Sequence, residues 1–334
     1  MDNGLLNPAE GQPRTAGLLH FHPRSPQMTP HPGVSTIAFM PALTKKFTLT
    51  DFRSARSNGE KIAMLTCYDY TSARLMQEAG VPMILVGDSA ANVVLGYDST
   101  LPVTLDFMIE ITRAVRKGAP LSFVVGDMPF GSYQASVGQA VRNVCKMIKD
   151  TGCDAVKLEV SDGHESVVRA LADAGIAVVA HLGLKPQAVG LLGGYKFQGR
   201  TAGEAREIVT SALQMQDAGA AIILLEAVPP EIGKECVERL SIPVIGCGAG
   251  ASCHACVIVT QDGLGLTPHR PRFVPTLTEL AAPLRDAFSM YVQSVANGKY
   301  PAPEHDYVMP PAEKASFVKS MAEEEEEPFG ELPF

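Results

Sequence analysis

Short apolar runs alternate with amphipathic stretches along this chain from Phe47 onward. The runs show no polar alternation, which is typical of strands buried on both faces of a parallel sheet. We predict strands at residues 62–67, 83–88, 121–127, 155–159, 177–180, 221–226, 243–245 and 264–266.

The stretches between the runs have helical spacing, and most of them end in glycine, as at Gly80, Gly118 and Gly152. Glycine is the residue that most often closes a helix. We predict helices at residues 48–57, 72–79, 105–117, 136–150, 165–173, 203–217, 230–240 and 276–297. Eight strands alternating with helices predict an α/β protein with a (β/α)8 TIM barrel. An open doubly wound sheet is the alternative, although no G-x-G-x-x-G motif follows the first strand.

Acidic side chains stand where four of the predicted strands end: Asp88, Asp127, Glu159 and Glu226. In a barrel these ends meet at one mouth, where active sites lie. One acid in such a position is as easily a strand cap or a salt-bridge partner, whereas four favour a functional site. Lys157 lies two residues before Glu159 and therefore on the same strand face. We expect the loops after these strands to line the site.

Oxygen ligands from neighbouring strands suit a hard cation, and Asp88, Asp127 and Glu159 are predicted to bind Mg²⁺. An incomplete Mg²⁺ shell accepts the carbonyl and carboxylate oxygens of a 2-oxo acid and stabilises its enolate as a Lewis acid. Lys157 adds positive charge near that carboxylate or enolate.

Glu226 comes from a more distant strand and is the candidate general base. The alternative is a simple ion pair with Lys185 or Lys196. His181 is a candidate substrate contact, or else a core histidine whose hydrogen bonds are satisfied.

Ser89 and Tyr68 complete the candidate substrate-binding residues. Ser89 either donates to a substrate carboxylate or caps the next helix. Tyr68 either lines the pocket or packs beneath it. The Gly-rich run at 246–250 invites a phosphate-loop interpretation, but glycine also serves close packing at a strand end.

Composition is that of a globular protein, with 46% hydrophobic and 19% charged residues among 334. The net charge of −8 argues against a nucleic-acid partner, and no apolar run approaches the ~18 residues of a membrane helix. The seven cysteines include one C-x-x-C pair at Cys253 and Cys256, but no second pair for a zinc site. An odd number of cysteines in mostly apolar segments favours a reducing compartment. We predict a cytoplasmic location, or an organellar one if the N-terminus is a presequence.

Three regions follow from these patterns. Residues 1–45 lack periodicity and are rich in proline, so we expect them to be disordered. Residues 46–308 form the predicted catalytic barrel. Residues 309–334 carry the acidic run 323–327 and are expected to be a solvated, mobile tail.

Several long motifs closely resemble the ketopantoate hydroxymethyltransferase family over residues 45–308. They are Leu-Val-Gly-Asp-Ser (85–89), Gly-Tyr-Asp-Ser-Thr-Leu-Pro-Val-Thr (96–104), Asp-Met-Pro-Phe (127–130), Val-Lys-Leu-Glu (156–159), His-Leu-Gly-Leu-Lys-Pro-Gln (181–187) and Gly-Gly-Tyr-Lys-Phe-Gln-Gly-Arg (193–200). The resemblance implies a barrel of the phosphoenolpyruvate/pyruvate superfamily in a homo-oligomer, commonly a decamer. It also implies hydroxymethyl transfer from 5,10-methylenetetrahydrofolate to 3-methyl-2-oxobutanoate, giving 2-dehydropantoate for pantothenate and coenzyme A biosynthesis.

The resemblance also implies residue roles. Asp88, Asp127 and Glu159 match the metal-site acids. Ser89 and Lys157 match contacts to the 2-oxo acid, and Glu226 matches the proton acceptor.

The sequence departs from the family pattern at 251–256 and 267–272, which puts the late barrel rim in doubt. Two alternatives therefore stay open. A Mg²⁺-dependent C–C lyase of the same superfamily acts on 2-oxo or 2-methylisocitrate-like acids, but its Lys-Lys-Cys-Gly type of loop is missing here. A barrel without catalytic activity would serve as a scaffold.

Overall fold

A computed structural model describes residues 41–326 of the chain. Eight parallel strands form a closed barrel in chain order, which confirms the predicted (β/α)8 fold. The strands are β1 (Ile62–Thr66), β2 (Met83–Val86), β3 (Phe123–Asp127), β4 (Ala155–Glu159), β5 (Val178–Gly183), β6 (Ile222–Glu226), β7 (Val244–Cys247) and β8 (Ala255–Ile258).

Helices follow or connect these strands. They are α1 (Leu49–Asn58), α2 (Tyr70–Glu78), α3 (Ala90–Val93), α4 (Leu105–Gly118), α5 (Val137–Thr151), α6 (Glu165–Asp173), α7 (Val189–Leu192), α8 (Ala202–Asp217), α9 (Pro230–Arg239), α10 (Thr260–Gly263), α11 (Ala281–Ala296) and α12 (Pro311–Glu326). Short 3₁₀ turns occupy Asp162–His164, Pro186–Ala188 and Pro303–His305.

Two apolar layers hold the barrel. Alternate strand residues point outward and pack against the helices, as Val156 and Leu158 of β4 do. The intervening residues point inward and fill the interior with a separate apolar cluster, which includes Met83, Val125 and Leu224. Period-2 alternation places these two sets on opposite faces of every strand.

The inward face changes character toward the carboxyl ends of the strands. On β3 the inward series runs Phe123, Val125, Asp127, and on β4 it runs from Ala155 through Lys157 to Glu159. The same alternation brings His181 and Glu226 inward on β5 and β6. An apolar floor therefore supports a polar layer at one mouth of the barrel.

The predicted eighth strand at 264–266 is wrong. Leu266 N donates to Gln261 O and Gly265 N to Asp262 O, so this segment is the turn that closes α10. Strand β8 lies earlier, at Ala255–Ile258, and begins within the stretch 251–256 that departs from the family pattern. Its outward Cys256 is exposed, so the run lacks the uniform apolar character of a strand buried on both faces.

Two further differences concern the C-terminal part. The helix predicted at 276–297 is shorter, since α11 begins at Ala281. Residues Pro311–Glu326 form the exposed helix α12, where only a mobile tail is predicted; the mobility itself stays a prediction. The prediction of disorder for residues 1–45 falls mostly outside the described residues. No helix within residues 41–326 is long and apolar enough to cross a membrane.

A charged cluster closes the amino-terminal end of the barrel. Asp154, just before β4, accepts hydrogen bonds at Oδ2 from Lys46 Nζ (2.6 Å), Arg116 Nη1 (3.0 Å) and Val124 N (2.8 Å). Lys46 and Arg116 also donate to Ser122 O, each at 2.9 Å. This cluster ties the segment before α1, the end of α4 and two strands together.

Candidate active site

Asp127 and Lys157 form a buried ion pair at the centre of the polar layer. They are direct neighbours in the register of β3 and β4. Lys157 Nζ donates to both carboxylate oxygens of Asp127, at 2.7 and 2.6 Å. Burial lowers the pKa of Lys157, but the charges of Asp127, Asp88 and Glu159 outweigh it and raise the pKa above its ordinary value. Lys157 is therefore a permanent cation in this site.

Asp88 lies two residues beyond the end of β2 and is 3% exposed. Its backbone N donates to Asp127 Oδ2 at 3.0 Å, which brings the ends of β2 and β3 together. Its Oδ2 accepts a hydrogen bond from Gln187 Nε2 at 2.8 Å. The carboxylates of Asp88 and Asp127 therefore lie close together in the buried site.

Glu159, at the end of β4, is the third buried acid. Its Oε2 accepts a hydrogen bond from Gln187 N at 3.1 Å, whereas Oε1 is buried without a hydrogen-bond partner. Burial raises the pKa of Glu159 well above its ordinary range, and the Lys157 ammonium opposes this effect. An unpartnered buried carboxylate oxygen is costly, which marks this position as one kept for a ligand.

His181 lies between two acids. It pairs with Glu159 in the β4–β5 register, with its Nδ1 3.7 Å from Glu159 Oε1, and its Nε2 is 3.3 Å from Glu226 Oε2. Neither ring nitrogen makes an aligned hydrogen bond with any described residue, which favours a substrate contact over a core histidine whose hydrogen bonds are satisfied. Burial lowers the pKa of His181, so its imidazole is neutral at pH 7.

Backbone geometry fixes the direction of Glu226. Ala227, the next residue, has a φ of 46°, a left-handed conformation that costs about 1 kcal/mol outside glycine. Beside it, Gly183 has a φ of 90°, and any Cβ there would collide with Glu226 O. The close approach of β5 and β6 therefore requires glycine at 183. The alternative ion pair is not formed with Lys185, whose Nζ donates to Val160 O instead.

Ser89 and Tyr68 are joined by a hydrogen bond of 2.9 Å between their hydroxyl oxygens. Ser89 stands at the start of α3, but its side chain makes no capping hydrogen bond there. Burial raises the pKa of Tyr68, which keeps this hydroxyl protonated. Ser89 faces the cavity described next, and Tyr68 supports it from below.

A cavity of about 110 Å³ opens at this mouth of the barrel. Predicted site residues supply much of its wall: Asp88, Ser89, Asp127, Lys157, His181 and Glu226. Glu159 and Tyr68 are not part of this wall: Glu159 lines a separate cavity with Tyr133 and Gln187, and Tyr68 is hydrogen-bonded to the wall residue Ser89. A cavity needs ~10–15 Å³ of such volume to hold one water molecule, so this cavity has room for a small organic acid.

The residues present fit a divalent cation. Three buried acids, Asp88, Asp127 and Glu159, face the single ammonium of Lys157, and Glu159 keeps an orphaned oxygen. Hard oxygen donors with excess negative charge are the set that Mg²⁺ prefers. Within residues 41–326, no three His, Cys, Asp or Glu side chains converge at metal-binding distance. Lys157 Nζ holds Asp127, and Gln187 N holds Glu159.

Gln187 and Tyr133 belong to this site but were missed in the sequence. Both are buried, and Gln187 contacts two of the three acids. The one available signal was the presence of Gln187 at the end of a family-like motif (181–187). Neither residue ends an apolar run, which was the pattern that singled out the acids.

The fold and this acidic mouth define a class: (β/α)8 barrels with buried acids at the carboxyl ends of their strands. Solved structures with this fold include a phosphoenolpyruvate phosphomutase from Streptomyces platensis subsp. rosaceus (TM-score 0.53, 15% identity, 84% of this chain and 97% of that one). An oxaloacetate acetylhydrolase is similarly related (TM-score 0.51, 16% identity, 83% and 99% covered). At these identities the likeness concerns the fold alone.

The family is defined by sequence. Residues 46–303 match the model of ketopantoate hydroxymethyltransferase. The 3-methyl-2-oxobutanoate hydroxymethyltransferases of Geobacillus kaustophilus and Thermobifida fusca are 47% and 45% identical over 78% and 79% of this chain, and 94% of each relative is covered. This chain belongs to the ketopantoate hydroxymethyltransferase family. The resemblance seen in its motifs, and with it the prediction of a hydroxymethyltransferase, is confirmed at the level of the family.

Proposed function

We propose that this protein transfers a hydroxymethyl group from 5,10-methylenetetrahydrofolate to 3-methyl-2-oxobutanoate, giving 2-dehydropantoate. Family membership supports a role in pantothenate biosynthesis. The observation that carries the proposal is one small cavity with acids and Lys157 on one side and the His181–Glu226 pair on the other. Such a cavity separates the group that holds an oxo acid from the group that takes its proton.

Asp88, Asp127 and Glu159 would hold Mg²⁺, which supplies Lewis-acid stabilisation of negative charge on the substrate oxygens. Lys157 adds its fixed positive charge at the same wall and favours the anionic substrate and its enolate. Ser89, held by Tyr68, donates a hydrogen bond to the substrate carboxylate.

Glu226 is the proposed base. Its carboxylate removes the C3 proton of the oxo acid, and the electron pair left behind forms the enolate. C3 then forms a carbon–carbon bond with the one-carbon unit, and the overall reaction consumes one water and releases tetrahydrofolate. His181, with its Nε2 3.3 Å from Glu226 Oε2, orients this carboxylate in the proposed reaction.

Two parts of the proposal rest on the family alone: the folate donor and assembly into a homo-oligomer such as a decamer. The cytoplasmic location rests on the odd number of cysteines in mostly apolar segments. No observation of the described residues favours the lyase alternative.

The test is product formation by the purified full-length chain. With Mg²⁺, 3-methyl-2-oxobutanoate and 5,10-methylenetetrahydrofolate, 2-dehydropantoate should form, as measured by mass spectrometry. Omitting either substrate should abolish it. Absence of product with all components present would contradict the proposal.

A further inference from the structure

Gln187 is the most completely bonded polar side chain next to the acidic site. It is 6% exposed and lies in the 3₁₀ turn Pro186–Ala188 after β5. Its Nε2 donates to Asp88 Oδ2 (2.8 Å) and to Met128 O (3.0 Å). Its Oε1 accepts from Tyr133 Oη (2.9 Å) and Gln134 Nε2 (3.3 Å). A carboxamide offers two donors and two acceptor positions, and here all four are used.

The orientation of this carboxamide follows from its partners. Asp88 Oδ2 and Met128 O only accept hydrogen bonds, so the NH₂ group must face them. A glutamate at 187 would instead bring a fourth carboxylate against Asp88. The position is therefore specific for a neutral donor.

The backbone of the same residue holds a second acid. Gln187 N donates to Glu159 Oε2 at 3.1 Å, while its side chain holds Asp88. These acids come from β4 and β2, which lie on either side of β3. One residue of the loop after β5 thus fixes the acids at both edges of the site.

Tyr133 supports this arrangement from behind. Its hydroxyl accepts from Glu159 N (3.1 Å) and shares its single hydrogen between Gln187 Oε1 and Glu159 O (2.9 and 3.0 Å). Tyr133 is 1% exposed, so this hydroxyl has no competing solvent. Residues that orient metal-binding carboxylates from behind commonly change metal affinity when they are removed.

We propose that Gln187 is a positioning residue that, with Tyr133 behind it, sets Asp88 and Glu159 for cation binding and so couples the loop after β5 to the metal site. The inference rests on the proposed function, because it concerns the same site. The simpler alternative, that Gln187 only anchors its loop, predicts lower stability with unchanged cation affinity.

The test compares Gln187→Met with the unsubstituted protein by Mg²⁺ titration calorimetry without substrate. Methionine has similar length but no donor, so Mg²⁺ affinity should fall about tenfold to a hundredfold. Exchange of the C3 proton of 3-methyl-2-oxobutanoate should be lost at low Mg²⁺ and regained at saturating Mg²⁺. Gln198→Met is the matched control: Gln198 lies in the same loop but donates to Lys196 O, so its substitution should leave both readouts unchanged.

Tyr133→Phe is the second variant and carries the test if Gln187→Met does not fold. Its Mg²⁺ affinity should fall about threefold to tenfold, since the contacts of the hydroxyl with Gln187 and with the backbone of Glu159 are lost. Affinities within twofold of the unsubstituted protein, together with lowered unfolding temperatures, would overturn the inference and leave the proposed function standing. Absence of C3 exchange in the unsubstituted protein would overturn the proposed function, whereas absence of Mg²⁺ binding would overturn both.

Discussion

The two ends of the barrel each hold a charged cluster, partly exposed at the amino-terminal end and buried at the carboxyl-terminal end, and the clusters differ in how completely they are paired. At the amino-terminal end, Asp154 accepts from Lys46, Arg116 and a backbone N–H. At the carboxyl-terminal end, Glu159 Oε1 and both ring nitrogens of His181 have no hydrogen-bond partner among the described residues. The first cluster closes the barrel, whereas the second has polar atoms that remain available to a ligand.

This difference has an energetic reason. A charge that is removed from water costs several kcal/mol unless partners compensate it. Asp154 is compensated by two cations that keep some contact with water. At the other end three buried acids share Lys157, so protein groups alone do not compensate them. The uncompensated end gains most from a bound cation and an anionic substrate, which is the behaviour of an active site.

The largest effect is expected from Glu226→Gln. The substitution keeps the shape and removes the base, so exchange of the C3 proton should fall by about 10²–10⁴-fold while binding of the oxo acid persists. Proton NMR in D₂O measures exchange, and calorimetry measures binding. The control is Glu238→Gln, which removes an exposed carboxylate on the neighbouring helix α9. This variant should exchange the C3 proton at the same rate as the unsubstituted protein. Unchanged exchange in Glu226→Gln would remove this residue from the role of base.

Asp88→Asn should separate cation binding from stability. Mg²⁺ affinity should fall at least about a hundredfold, since a proposed ligand is lost. The free energy of unfolding should change by less than about 1 kcal/mol, because asparagine still accepts from Gln187 and relieves the charge repulsion with Asp127. Calorimetry and denaturant unfolding measure the two quantities. The control is Asp98→Asn, which replaces an exposed carboxylate in the following loop. If Asp88→Asn bound Mg²⁺ as tightly as the unsubstituted protein, the metal assignment would be refuted.

Asp154→Ala should give the opposite result. Loss of the shared acceptor for Lys46 and Arg116 should destabilise the protein by about 2 kcal/mol, less than for a fully buried pair because all three side chains are partly exposed. Mg²⁺ affinity and exchange by the folded protein should not change. Asp150→Ala, which removes a surface ion pair with Lys146, should cost below about 0.5 kcal/mol in the same denaturant titration. A loss of Mg²⁺ affinity in Asp154→Ala would break the distinction between the two ends.

The smallest effect concerns His254, at the amino-terminal end beside β7. Its Nδ1 accepts from Val244 N at 3.0 Å, and burial, with the charges of Arg56 and Lys61, lowers its pKa to about 4. Between pH 6.5 and 4 the unfolded chain binds a proton here that the folded chain does not, so stability contributed by this group falls as the pH falls. The effect is reduced by solvent, since His254 is only half-buried.

His254→Gln checks this effect, because glutamine offers an acceptor to Val244 N without titrating. The variant should lose less unfolding free energy than the unsubstituted protein between pH 7 and pH 5. Identical pH dependence in the two proteins would show that His254 does not contribute.

Strong local patterns made the barrel and its acids predictable. Asp127 ends a continuous apolar run, and Glu159 ends an apolar run interrupted by Lys157, so the geometry of parallel strands places both acids at one mouth of the barrel. Strand β8 lacked that signal because Cys256 is exposed and His254 precedes the strand. Its position is set by pairing with β1 and β7, which is a tertiary effect.

The residues that support the site, Gln187 and Tyr133, could not be predicted for a different reason. Gln187 and Tyr133 lie in loops without periodicity, 54 residues apart in sequence. Their contacts exist only once the loops after β3 and β5 meet. Likewise, the ion pair between Asp127 and Lys157 depends on the β3–β4 register, which no single run encodes.

The most direct measurement of the central claim is proton NMR of 3-methyl-2-oxobutanoate in D₂O with the full-length protein and Mg²⁺, without and then with 5,10-methylenetetrahydrofolate. The account predicts loss of the C3 proton signal in both samples and 2-dehydropantoate only in the second. Exchange without product would retain the base and place the fault in the folate-binding side of the site. A persistent C3 signal despite bound Mg²⁺ would contradict the claim that the carboxyl-terminal end of this barrel is a proton-abstracting active site.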